Sequence, residues 1–146
     1  MIREICAADM AACAGILCAV YNNDLWQCRW TTETAAAYLA DIMRMPGFFG
    51  YVDEEDGIIC GAVFAREKIW WNASEAYVEE IFVHPDMQRS GCGTRLMGQI
   101  ECDVRERGLA GITLSTNRYA PASAFYRKLG FADCGHVLFM AKTCDE

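Results

Sequence analysis

The sequence predicts an α/β protein in which a mixed β-sheet carries helices on both faces. Two observations predict this class: a hairpin of two strands lies in the first half of the chain, and a strand–helix–strand unit lies in the middle. Length is a third observation, because 146 residues are enough for one domain with a substantial core. We therefore expect residues 1–146 to form a single domain.

The first half of the chain alternates apolar runs with turn signals. After a short strand, Asp9 marks the start of a helix formed by the apolar residues 10–21. Thr31 is a residue type that caps helices, and Pro46-Gly47 stops the helix that it begins. The acidic turn at residues 53–57 then joins two apolar runs into an antiparallel hairpin.

The second half opens on an apolar strand that leads directly into an amphipathic helix ended by Gly108. Another strand follows, then a helix closed by Gly130, and two short strands around a Cys134-Gly135 turn. The predicted strands are residues 2–5, 48–52, 58–66, 76–83, 112–115, 131–133 and 136–141.

Composition excludes several classes of protein. A hydrophobic content of 53% excludes disorder, and a net charge of −7 argues against general nucleic-acid binding. The same charge suits either a cationic substrate or simple solubility. The longest apolar run, residues 10–21, is too short to span a membrane and lacks the basic start of a signal peptide. We therefore expect a cytoplasmic protein.

The nine cysteines include no Cys-x-x-Cys pair, and neither of the two histidines stands at metal-ligand spacing to a cysteine. This pattern predicts neither a disulfide scaffold nor a metal site, and it fits buried thiols in a reducing compartment. Cys92 is the exception to watch, because the start of a helix can lower the pKa of a thiol. The alternative is that Cys92 only packs.

Residues 77–94 carry the most chemical information, because a strand with two adjacent carboxylates runs into a glycine-containing loop and a helix. The first N–H groups of a helix lack intrahelical partners and its dipole is positive at that end, so phosphates bind there. Gly91 and Gly93 allow close approach of a ligand to the backbone, and Arg89 adds a positive charge. The alternative is an ordinary glycine-rich turn.

Two nucleotide-binding motifs fail in this loop. A P-loop requires a lysine between glycine and Ser/Thr, whereas Gly93 is followed directly by Thr94. A Rossmann fingerprint requires a third glycine at the position of Leu96. A nucleotide-binding α/β domain is therefore disfavoured.

Glu79 and Glu80 are the candidate general bases. Adjacent strand residues point to opposite faces, so only one of them enters a cleft unless a bulge changes the register. A carboxylate inside this apolar run costs free energy unless it has a partner or a task. The alternative is one solvated carboxylate and one surface ion pair.

The motif Gln88-x-x-Gly91-x-Gly93 resembles the acetyl-CoA-binding motif of the GNAT superfamily of N-acetyltransferases. The resemblance extends to Val83-His84-Pro85 and to the later run Asn117-x-x-Ala120-x-x-Ser123-x-Phe125-Tyr126-x-x-Leu129-Gly130-Phe131, and the order of elements matches over nearly the whole chain. It implies a mostly antiparallel sheet of six to seven strands with a splayed central strand pair.

The resemblance implies a transferase that moves an acetyl group from acetyl-CoA to a primary amine by direct attack in a ternary complex. It places a base near Glu79, with Glu80 as its substitute, and a general acid at Tyr126. The implied coenzyme A contacts are Phe82, Val83, Gln88, Arg89, Ser90, Gly91, Cys92, Gly93, Thr94, Asn117 and Ser123. The alternative is a catalytically silent domain of the same fold that senses acyl-CoA.

The family's acceptor site lies between the first two helices and a hairpin, which here implies residues 21–30. Asp24, Trp26 and Trp30 are the expected substrate contacts, through Coulomb and cation–π attraction for a cationic amine. Residues 21–35 also resemble aminoglycoside 6′-N-acetyltransferase-type relatives. The expected partner is a small-molecule or peptide amine rather than nucleic acid, membrane or metal, and a homodimer is compatible with the family.

Overall fold

The computed structural model describes residues 1–144, which divide into two compact units, residues 1–115 and a second unit that begins at Thr116. The single domain expected over residues 1–146 stays a prediction. The strands of the first unit are β1 (Ile2–Glu4), β2 (Phe48–Glu55), β3 (Ile58–Lys68), β4 (Glu75–Val83) and β5 (Ile112–Leu114). Its α-helices are α1 (Met10–Tyr21), α2 (Thr32–Met43) and α3 (Cys92–Arg107), and α4 (Ala122–Lys128) belongs to the second unit.

The sheet is mixed and mostly antiparallel, which confirms the predicted fold class. Its strand order is β1-β2-β3-β4-β5, with antiparallel pairing except between β4 and β5, which are parallel. The β4–β5 pairing covers only Ala76 to Val78 of β4. Within the described residues, the rest of β4 is paired with β3 alone, as a splayed strand pair requires.

The predicted count of six to seven strands is wrong for the part of the chain that the structure describes, where five strands form. The two predicted strands at residues 131–133 and 136–141 are not present. Their apolar side chains, Val137 to Met140, are exposed. An apolar run forms a strand only when a neighbouring strand pairs with its main-chain N–H and C=O groups. The sequence does not reveal whether such a neighbour is present.

Helices lie on both faces of the sheet. The side chains of Ala62 and Phe64 pack in the core beneath α1 and α2. A Cβ at Gly61 would instead approach Cys92 of α3, and adjacent strand residues point to opposite faces. Helix α3 therefore lies on the opposite face from α1 and α2, where a buried Tyr51–Asp103 hydrogen bond ties it to β2.

Two predicted helix starts differ in their chemistry. Thr31 caps α2 as predicted, because its hydroxyl accepts a hydrogen bond from the Thr34 N–H at 3.0 Å. Asp9 precedes α1, but its carboxylate accepts from the Cys6 N–H at 2.9 Å and from Arg3 at 2.8 and 2.9 Å. Asp9 therefore ties the chain before α1 to β1 instead of capping α1.

Asp9→Asn is expected to remove part of the protein's acid-sensitive stability. The hydrogen bond from Arg3 lowers the pKa of Asp9 to about 2, from an ordinary value of 3.8. The unfolded chain binds this proton more readily, so the contribution of about 2 kcal/mol is complete above pH ~4 and is lost as the pH falls towards 2. Urea unfolding of both proteins over this range should give a flatter pH dependence for the variant, and parallel pH dependences would contradict the assignment.

No helix within residues 1–144 combines the length and the apolar character needed to cross a membrane.

Candidate active site

A β-bulge in β4 places both candidate carboxylates on the side of α1 and α2. Glu80 is paired with Phe64 of β3 and Val78 with Ala65, so Glu79 is the extra residue between them. Cross-strand partners share a face, and Phe64 packs beneath α1 and α2. Both carboxylates also raise the pKa of Tyr38 in α2, although burial is the larger cause. The expectation that only one of the two enters a cleft holds only without such a bulge.

The two carboxylates differ in their partners. The Nε of Arg66 donates a hydrogen bond to Oε1 of Glu79 at 2.8 Å, which makes an ion pair. Within residues 1–144, Glu80 takes part in no ion pair with Lys or Arg, and the Tyr21 hydroxyl donates a hydrogen bond to it. The pKa of Glu80 is raised to about 7, because burial and, to a smaller extent, the Glu79 charge outweigh the hydrogen bond from Tyr21, which lowers it. A carboxyl group with this pKa exchanges a proton near neutral pH.

An aromatic cluster surrounds these carboxylates, and it consists of Tyr21, Trp26, Trp30, Tyr38 and Tyr77. The rings of Tyr21 and Trp26 lie 5.1 Å apart, as do the rings of Trp30 and Tyr38. The structure thus brings two of the three predicted acceptor contacts, Trp26 and Trp30, to tyrosines that interact with Glu80. The third, Asp24, is exposed in the loop between α1 and α2.

The loop before α3 presents an open helix N-terminus. Gly91 stands before the helix with a φ of 85°, a left-handed conformation that favours glycine, and no side chain of the described residues caps α3. Hydrogen bonds from Ser90 Oγ to the Met87 carbonyl at 2.6 Å and from Gln88 Nε2 to the Val83 carbonyl at 3.4 Å fix the loop. The first N–H groups of α3 are therefore available to an anion.

The remaining loop residues are also accessible. Gln88, Arg89, Ser90, Gly91 and Thr94 are exposed, and Gly93 is half-buried.

An ion pair between the exposed Arg95 and the buried Asp53, which no sequence pattern indicated, stabilises this loop. Arg95 donates to the carboxylate of Asp53 at 2.9 Å and to the Ser90 carbonyl at 3.0 Å. Burial alone would raise the pKa of Asp53, but the ammonium of Met1 and the guanidinium of Arg95 hold it below its ordinary value. Asp53 was assigned to an acidic turn, and no local pattern connects it to a residue 42 positions away.

Of the two interpretations of Cys92, the structure favours the one in which this residue packs in the core. The Cys92 side chain is 1% exposed and faces the sheet. Burial raises the pKa of Cys92 to about 12, and the nearby charge of Asp53 raises it as well. These effects outweigh the helix N-terminus, which favours the alternative that Cys92 packs.

Phe82 and Val83 link the carboxylates to the loop. Phe82 is buried in the core beneath α1 and α2, and Val83 is half-buried at the end of β4. Both lie beyond the last residue of β4 that is paired with β5. Their main chain is therefore bordered by β3 on one side only, within the described residues.

The second unit contains the other three predicted site residues. Oδ1 of Asn117 accepts a hydrogen bond from the Tyr119 N–H at 2.8 Å, and Ser123 donates to the Ala120 carbonyl at 3.0 Å. The ring of Tyr126 contacts those of Phe125 and Phe131, with centroids 5.4 and 5.7 Å apart. Asn117 thus shapes the turn before α4, and the aromatic neighbours orient Tyr126.

The described residues offer no cluster of side chains suited to bind a metal ion. Residues 1–144 contain no group of three or more His, Cys, Asp or Glu side chains arranged to hold a metal ion.

Residues 46–133 match the family model of the acetyltransferase (GNAT) domain. The chain therefore belongs to the GNAT family, which confirms the resemblance seen in the loop and strand motifs. It is 35% identical over 104 residues to streptothricin acetyltransferase of Streptomyces lavendulae, a match that covers 61% of this chain and 54% of that protein. The chain thus spans about half the length of this relative.

A second kind of relative also matches. Glycerol kinases of Francisella tularensis are 30% identical over 82 residues, or 56% of this chain, but the match covers only 14% of those proteins.

Two solved structures share the fold over nearly the whole chain. A transcriptional regulator from Bacillus halodurans C-125 superimposes with a TM-score of 0.79 at 21% identity, covering 97% of this chain and 99% of that one. AAC(6′)-Iy in complex with the bisubstrate analogue CoA-S-monomethyl-acetylneamine gives a TM-score of 0.75 at 18% identity, covering 99% of this chain and 98% of that one. At these identities the likeness shows the fold alone.

Proposed function

We propose that this chain is an acetyl-CoA-dependent N-acetyltransferase that acts on a primary amine of a small cationic molecule or a peptide. One observation carries the proposal: Glu80, whose pKa is raised to about 7, lies on the strand that leads into an open helix N-terminus. Membership of the GNAT family supports the proposal. A streptothricin acetyltransferase among the relatives and a coenzyme A conjugate bound to AAC(6′)-Iy support it further.

The loop residues fit the pyrophosphate of coenzyme A. Helix α3 begins with the N–H groups of Cys92, Gly93 and Thr94, which can bind an anion. No side chain of the described residues caps them, and Gly91 has no Cβ that would block them. Arg89, three residues before Cys92, is exposed. Acetyl-CoA, when bound there, supplies the thioester carbon that the amine attacks.

Glu80 would act as the base for this reaction. An alkylammonium group must lose a proton before its nitrogen can attack, and a base with a pKa near the working pH removes that proton most effectively. The Oε atoms of Glu80 accept the proton directly or through one water molecule, while the N–C bond forms and the C–S bond breaks. The main chain at Phe82 and Val83, bordered by β3 on one side only, would hold the acyl arm.

Tyr126 is proposed to protonate the departing thiolate. A phenol with an ordinary pKa of about 10 can donate a proton to a thiolate as the C–S bond breaks. Asn117 and Ser123 are proposed to contact the pantetheine arm. In the structure Arg127 pairs with Asp133 at 3.0 Å, so its charge is partly neutralised.

A thiol-release assay with acetyl-CoA and a panel of amines tests the proposed function. Release should depend on the amine, and mass spectrometry should detect the acetylated product. The protein's nine cysteines contribute thiol signal, so a reaction without amine must be subtracted. Coenzyme A binding without turnover on any amine, peptide or aminoglycoside would show an acyl-CoA-sensing domain instead.

Tyr126→Phe is expected to lower the rate of transfer by about 10²-fold, because the thiolate then leaves without a proton donor. Coenzyme A binding, measured by calorimetry, should change little, since the ring keeps its contacts with Phe125 and Phe131. Tyr119→Phe is the matched control, because Tyr119 is 90% exposed. An unchanged rate in Tyr126→Phe would remove this hydroxyl from the mechanism.

A further inference from the structure

Arg66 forms an ion pair with Glu79, the carboxylate that would otherwise attract a second positive charge of the acceptor. Its guanidinium pairs with Glu79 at 2.8 Å, and the two side chains are only 29% and 19% exposed. The same guanidinium lies 5.5 Å from the centre of the Tyr77 ring. Two groups of the site that could bind a cation, the Glu79 carboxylate and the Tyr77 ring, are thus already in contact with a cation of the protein itself.

A second cation lies beside the first on β3. The Nζ of Lys68 is 5.6 Å from the centre of the Tyr77 ring and 5.8 Å from that of Trp70. This edge of the aromatic cluster therefore carries the charge of Lys68 beside the neutral Arg66–Glu79 ion pair. An acceptor with several ammonium groups would meet this edge with like charge.

The described groups that interact with Glu80 contribute no further net charge. Tyr21 of α1 donates a hydrogen bond to Glu80, and burial raises the pKa of Tyr38 of α2, which keeps that phenol neutral. Glu79, next to Glu80 on β4, is neutralised by Arg66 of β3. Of the two adjacent carboxylates, Glu80 is the one left to attract an ammonium group.

We propose that Arg66 determines acceptor specificity, so that the enzyme favours an amine with one positive charge next to an aromatic or apolar group and disfavours polycations. This inference rests on the proposed transferase function. It also separates this chain from what its relatives' names suggest, since streptothricin and aminoglycosides are polycationic.

The test compares two acceptors in the wild-type protein and in charge variants at position 66. The specificity constant kcat/KM is measured for 2-phenylethylamine, which carries one charge, and for the polycationic kanamycin A, and their ratio is the readout. The wild type should favour 2-phenylethylamine. Arg66→Gln should move the ratio towards kanamycin A by about tenfold, the effect of one unit charge at roughly 10 Å and an effective dielectric constant near 20.

Two further variants separate charge from structure. Arg66→Lys keeps the positive charge, so its ratio should stay near that of the wild type. The double variant Arg66→Gln/Glu79→Gln removes both charges of the pair and should return the ratio towards the wild-type value, even if its absolute rates are lower. Partial exposure of both side chains makes these substitutions compatible with folding, which circular dichroism checks.

The outcomes distinguish failure of this inference from failure of the proposed function. A wild-type preference for kanamycin A, or an equal ratio in all four proteins, would overturn the role of Arg66 while leaving an N-acetyltransferase in place. Turnover of neither acceptor, nor of any other amine in the panel, would overturn the transferase function, and the specificity inference would fall with it.

Discussion

Replacing Glu80 with glutamine is expected to lower kcat/KM for amine acetylation by about 10²–10³-fold. The amide has nearly the shape of the carboxylate but cannot accept the proton that the attacking ammonium group must lose. In the wild-type protein, kcat/KM should rise with pH through about 7, where Glu80 ionises. The residual activity of the variant should lack this transition.

The same substitution should make the protein more stable at alkaline pH, which separates a lost base from a damaged fold. The native carboxyl ionises at about 7, whereas an unfolded glutamate ionises near its ordinary 4.5. The native state therefore binds more protons than the unfolded chain between these values, and the wild-type free energy of unfolding falls as the pH rises through this window. Glu80→Gln removes that loss, so urea unfolding at pH ~8 should show a gain of about 1–3 kcal/mol.

Glu79→Gln is the matched control, since it makes the same chemical change one residue away. Its carboxylate is paired with Arg66, so the acid limb of the pH profile should remain and the rate should fall by less than about tenfold. A larger loss in Glu79→Gln than in Glu80→Gln would make Glu79 the base, as the family resemblance alone implies.

The difference between these two residues shows what the sequence could and could not predict. Local sequence patterns predict the strand that carries the two carboxylates, the glycine loop and the helix after it. The structure contains all three. The roles of the carboxylates depend on a bulge between β3 and β4 and on partners from α1, α2 and β3. No local signal specifies where a strand pairing shifts by one residue, yet that shift decides which face each side chain occupies.

The residues that interact with the two carboxylates could not be predicted from the sequence either, because they come from other elements of the fold. In the sequence, Arg66 is only the last residue of the strand predicted at 58–66, and Tyr38 lies within the helix predicted to begin after Thr31. Their contacts with the carboxylates require the strand register and the helix packing together. The strands predicted at 131–133 and 136–141 are the opposite case. The local pattern is suitable for a strand, but no neighbouring strand of the described residues pairs with it.

Gly61→Ala is expected to weaken coenzyme A binding by at least tenfold and to destabilise the fold by about 1–3 kcal/mol. A Cβ at position 61 would lie 2.6 Å from the carbonyl oxygen of Phe82, 2.9 Å from Sγ of Cys92 and 3.2 Å from Cα of Val83. Such distances force the backbone of β4 or the start of α3 to move. Those two segments are the ones proposed to hold the acyl arm and the pyrophosphate, so one methyl group displaces both halves of the cofactor site.

Gly98→Ala provides the comparison, since Gly98 lies in α3 and a Cβ there would meet no atom within 4 Å. Alanine in an open helical position is expected to stabilise the protein by about 0.5–1 kcal/mol without changing coenzyme A affinity. Urea unfolding should therefore show opposite changes in stability for the two substitutions, whereas calorimetric titration should show weaker coenzyme A binding for Gly61→Ala alone. If Gly61→Ala bound coenzyme A as Gly98→Ala does, the cofactor would not depend on the contact between β3, β4 and the start of α3. The proposed acyl arm and pyrophosphate positions would then be wrong even though the fold is right.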